Sequence, residues 1–114
     1  ADKAAAAVQS AERVEGQLRS MRCHYRLDPN GFRPSVDAGV PLAQNELEAA
    51  IAAAAWLDAG AADDLRREVA EVKVAAGRGA SPDEFDAAID KAMADLDARF
   101  GRSASRRTPT TGCN

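Results

Sequence analysis

Cys23 and His24 stand side by side, and Cys113 is the second-to-last residue. Neighbours on a helix point about 100° apart, so Cys23 and His24 do not face each other. A Cys–His nucleophile pair is therefore not indicated. There is no CxxC, which argues against a redox dithiol and a zinc knuckle alike. What the two cysteines can do is pair with each other. A Cys23–Cys113 disulfide would close a loop of roughly ninety residues and stabilise by about 4.5 kcal/mol in the chain-entropy model. An even cysteine count and a first residue other than Met read together as a processed chain, periplasmic or secreted. Two free thiols would instead favour a cytoplasmic or phage-assembly role.

Carboxylates offer the next candidate chemistry. Asp83, Asp86, Asp90 and Asp97 recur at spacings of 3, 4 and 7 and share one helix face, with Glu84 nearby. Such a stripe could hold a cation or a basic partner, and with His24 it is the one place for acid–base catalysis. It lies opposite Phe85, Ile89, Met93 and Leu96, as a solvated face does, and that is the reading adopted. Asp28-Pro29-Asn30-Gly31 starts like a calcium loop, then supplies Phe32 and Arg33 where oxygen ligands are needed. Neither a phosphate-binding glycine loop nor a nucleophile elbow occurs. No catalytic residue, metal or cofactor is expected.

Binding residues form two groups. Arg19, Arg22, Arg26 and Arg33 cluster with Tyr25 and Phe32, a mixture able to grip phosphates or bases. Cations near a helix C-terminus also stabilise the helix itself, and acidic helices of the same chain are the better partners. Nucleic-acid binding is not expected. The second group centres on Trp56, the single tryptophan. Read as helical, it lies with Ala49, Ala52 and Ala53 on the side away from Leu47, Ile51 and Ala54. A second apolar side means deep burial or a partner surface.

The rest of the chain must position these residues. It has 114 residues, one domain's length, with 46% hydrophobic but only 4% aromatic residues. Alanine abundance and few β-branched residues make it strongly helical, and with arginine favoured over lysine they suit a GC-rich bacterial or phage source. No apolar run approaches the 20 or so residues of a membrane span. The net charge of −3 conceals an asymmetry: residues 1–35 carry +2, residues 36–101 carry −8, and the tail adds three arginines. Basic ends around an acidic middle can complement each other within the fold.

Ala4, Ala7, Ala11, Val14, Leu18, Met21 and Tyr25 alternate spacings of 3 and 4, which predicts a first helix over 2–25. Three prolines and Asn30-Gly31 then predict a long irregular crossover over 27–41, carrying Leu27, Phe32, Val36 and Val40. A second helix is expected over 42–59, with Gly60 as its stop, and a third over 62–76. Ser81-Pro82-Asp83-Glu84 opens a fourth over 82–100 with a cap, a proline in the first turn and a capping-box glutamate. The expected organisation is an all-α, four-helix bundle-like domain over 1–101, with an irregular tail over 102–114 tied back by Cys113.

These features imply a non-enzymatic helical interaction protein. Its protein partner or second copy would meet Trp56, Phe32, Tyr25, Arg22 and Arg26. The alternatives are a carrier for a small apolar ligand held between alanine-rich helices and, if the thiols are free, an assembly subunit.

Overall fold

A computed structural model describes residues 2–28 and 33–101, with Arg33 described through its backbone alone. Four helices make up the domain: α1 (Asp2–Leu27), α2 (Arg33–Ala53), α3 (Ala59–Gly77) and α4 (Pro82–Phe100). No strand occurs among the described residues. The tail over 102–114 and Phe32 lie outside them, as does Cys113, and with it the Cys23–Cys113 pairing.

The seam of α1 is buried from Ala7 to Tyr25, while Ala4 at its start is exposed. The helix is about 39 Å long at 1.5 Å per residue, close to the 42 Å longest dimension of the molecule. α2 packs along it antiparallel: Met21 meets Gly39, and Arg13 meets Glu46. α4 also runs antiparallel to α1, with Arg22 on Asp90 and Arg26 on Asp86. α3 closes the ring between α2 and α4. Leu18, Leu47, Leu65, Val69, Ile89 and Leu96 fill the centre.

The expected irregular crossover over 27–41 is not there. α2 begins at Arg33, and both Pro34 and Pro41 lie within it. Pro34 is its second residue, where the missing N–H would have had no intrahelical partner. Pro41 forgoes the bond to the carbonyl of Asp37, but both residues are on the solvent side. Val36, Val40, Ala43, Leu47 and Ala50 hold spacings of 4, 3, 4 and 3, and all are buried. Burial of that stripe against α1 outweighs one lost backbone bond.

The other end of α2 also departs from the expected 59. It stops at Ala53, so Trp56 sits in the turn before α3 rather than on a helix. Asp58 caps α3 by accepting from the Ala61 N–H at 2.7 Å. Gly60 therefore lies in the first turn of α3 and does not stop α2. The expected start of α4 is the observed one. Ser81 accepts from the Glu84 N–H at 3.2 Å, the Ser81 N–H donates to Glu84 at 2.8 Å, and Gly101 ends the helix at φ 69°.

Candidate functional site

Tyr25 is 1% exposed and faces the core. Its hydroxyl donates to the Ala80 carbonyl at 2.6 Å, and its ring stacks on Phe85 with centroids 4.1 Å apart. It is thereby taken out of any contact surface and instead ties α1 to the α3–α4 connection. Arg22 and Arg26 are engaged as well. Arg22 donates to Asp90 at 2.6 Å, and Arg26 to Asp83 at 3.0 Å and to Asp86. The basic cluster of α1 and the aspartate stripe of α4 thus face one another. Those aspartates are not a purely solvated face. His24 and Cys23 are half-buried in the last turns of α1.

Trp56 is 50% exposed. Its Nε1–H donates to the Arg99 carbonyl at 2.7 Å, and its ring meets Phe100 edge-on at 6.0 Å. The indole thus satisfies one of the carbonyls that the end of α4 leaves without an intrahelical partner. The remainder of the ring faces solvent.

A second exposed, uncharged surface lies on the outer face of α2. Ala38, Leu42, Asn45, Ala49 and Ala52 are all exposed, at spacings of 4, 3, 4 and 3, and none is charged. Leu42 is 54% exposed. Leu42 and Asn45 line a groove of about 390 Å³ with Gly16 and Gln17 of α1. Ion pairs flank the stripe. Arg13 donates to Glu46 at 2.9 Å on the α1 side. On the α3 side Arg66 grips Glu48 through two bonds, at 2.7 and 2.8 Å. Those bonds hold the Glu48 carboxyl below the usual carboxylate range.

Two glutamates lie where helices usually bury apolar residues. Glu15 on α1 is buried, with Arg19 Nη1 3.8 Å away. Glu68 on α3 is 9% exposed, and its Oε1 has no hydrogen-bond partner. Dehydration, a hydrogen bond with Asp95 and repulsion from that carboxylate push its carboxyl up to about 7, while Lys91 pulls the other way. Glu68, Arg67 and Glu71 of α3 and Ala88 and Lys91 of α4 line a cleft of about 200 Å³. Sequence reasoning missed this carboxyl. The available signal was its place three residues after Leu65 and four before Val72, on the stripe that those residues bury. No three His, Cys, Asp or Glu side chains among the described residues gather in a metal-holding group. No described helix is long and apolar enough to cross a membrane.

Comparison with family models, with curated proteins and with solved structures finds no match to this chain.

Proposed function

We propose that the chain is a non-enzymatic interaction protein that associates by helix–helix contact through the outer face of α2, its partner being a second copy of the chain. The uncharged exposed stripe from Ala38 to Ala52, flanked by ion pairs, carries this reading. An apolar strip with a charged rim has the anatomy of a protein interface. The stripe is also self-complementary. Asn45 is at its centre, so antiparallel pairing about Asn45 sets Leu42 of one copy opposite Ala49 of the other, large against small. A two-fold contact of this kind uses one patch twice. A polar Asn within an apolar seam favours one register over its slipped alternatives.

Sedimentation equilibrium from micromolar to millimolar chain tests this directly. The expected result is a reversible dimer that Leu42→Glu and Ala49→Lys each abolish, while circular dichroism shows both variants still helical. A monomer throughout the range, or a dimer indifferent to both substitutions, would overturn the reading.

The two cysteines support a second proposal, that the chain functions in an oxidising compartment, periplasmic or extracellular, with Cys23 and Cys113 bonded.

A further inference from the structure

We propose that the seam between α1 and α4 is the docking site of the chain's own segment 102–114, whose arginines pair with Glu15 and Asp97. This is independent of the α2 interface.

The register of the two helices brings those carboxylates together. Arg22 meets Asp90 and Arg26 meets Asp86, so four residues along α1 match four residues back along α4. Seven residues make close to two helical turns and return to the same face. Glu15 is seven residues before Arg22, and Asp97 is seven after Asp90. The two acids therefore share one level of the seam, two turns beyond an ion pair. Along its length the seam changes from arginine against aspartate to glutamate against aspartate. Glu15 is 1% exposed, and Asp97 is half-buried. Carboxylates so placed call for positive charge beside them. Arg19 brings one such charge to within 3.8 Å of Glu15, and two acids call for a second.

The segment after α4 has the charge and the reach. Residues 102–114 include Arg102, Arg106 and Arg107 and no acid. Gly101 ends α4 with φ 69°, one turn past Asp97, where the chain can leave the helix direction. By the same register Gly101 is level with Ala11. Cys23 lies twelve residues further along α1, about 18 Å at 1.5 Å per residue. Cys113 is also twelve residues from Gly101, and twelve extended residues span up to about 40 Å. A segment running back over the seam thus has the length to reach Cys23, and Glu15 is on its way. The level of Glu15 is only about 6 Å beyond that of Gly101, within reach of Arg106 and Arg107. Guanidinium groups suit the task, because each can hold a carboxylate through two N–H groups. The docking does not require the Cys23–Cys113 bond, but that bond would draw the segment along the same path.

Urea unfolding of the full chain tests the proposal, together with amide hydrogen exchange. Arg106→Ala with Arg107→Ala should lower the folding constant about tenfold. Exchange should quicken at the α1 amides around Glu15 and the α4 amides around Asp97. In a Glu15→Gln, Asp97→Asn chain the same arginine substitutions should change the folding constant no more than about twofold, because the two sites are then uncoupled. Arginine substitutions without effect on the otherwise native chain overturn the proposal. So does an equal loss in both backgrounds, which would place the arginines elsewhere. If the carboxyl variant folds poorly, the exchange pattern decides: protection lost only in α2 and α3 overturns the proposal, and protection lost around Glu15 and Asp97 supports it.

Discussion

Two glycines in helical interiors show how a substitution's sign depends on its neighbours. A Cβ at Gly16 would meet nothing within 4 Å, whereas one at Gly39 would approach Met21 Sδ to 3.0 Å. Gly16→Ala should therefore collect the full helix-propensity gain and stabilise by about 0.5–1 kcal/mol. Gly39→Val should instead force α1 and α2 apart and destabilise by about 1–3 kcal/mol. Paired denaturant melts decide both, and a stabilising Gly39→Val would show that Met21 yields freely. Tyr25 makes the same kind of point through a single oxygen. Tyr25→Phe keeps the stacking on Phe85 but strips the Ala80 carbonyl of its donor. A buried acceptor left alone costs about 1–3 kcal/mol, which a lowered urea midpoint with an unchanged slope would report.

At the level of elements, α4 is the one whose start the sequence states most fully. Ser81 and Glu84 reciprocate in a capping box, and Ser81 also holds the Glu84 carboxyl below its ordinary range. Ser81→Ala should cost about 1 kcal/mol, seen as a lower melting temperature with α4 amides exchanging first. α1, α3 and α4 were legible because apolar spacings of 3 and 4 agree with burial, with a capping box opening α4 and glycines closing α3 and α4, although α3 starts at Ala59, three residues before the expected 62. α2 was not, because two signals conflict there. Pro34 and Pro41 are backbone breakers by type, yet they occupy a first turn and a solvent-facing position, while Val36 and Val40 extend the buried stripe beneath them. The end of α2 was hidden for the opposite reason. Ala52 to Ala55 carries no stop signal, and the chain turns there because Asp58 caps the next helix and Trp56 reaches Arg99. Both are tertiary choices. Glu68 escaped notice because glutamate is an ordinary surface residue of helices, and only its spacing betrays a core position.

For the molecule as a whole, the charge asymmetry of the sequence becomes an internal contact. The basic end of α1 meets the acidic α4 through Arg22 and Arg26. These pairs are largely exposed, so each contributes no more than about 1 kcal/mol and orients the helices more than it holds them. Stability must come from the core, and that core is built largely of alanine and valine, which bury little area per residue. A crosslink is then worth proportionally more. Cys23 is on α1, and Cys113 is at the far end of the chain, so their bond would close nearly the whole domain into one loop. Closing it should stabilise by up to about 4.5 kcal/mol, a large share of a small domain's total. Intact mass of the native-source protein should show two hydrogens missing and no alkylation before reduction. Reduction should then lower the urea midpoint markedly, and Cys113→Ser should reproduce that loss without any reductant. Two freely alkylated thiols, or a midpoint indifferent to reduction, would remove the disulfide and with it the argument for an oxidising compartment. The α2 interface would survive that outcome, because it does not draw on the cysteines.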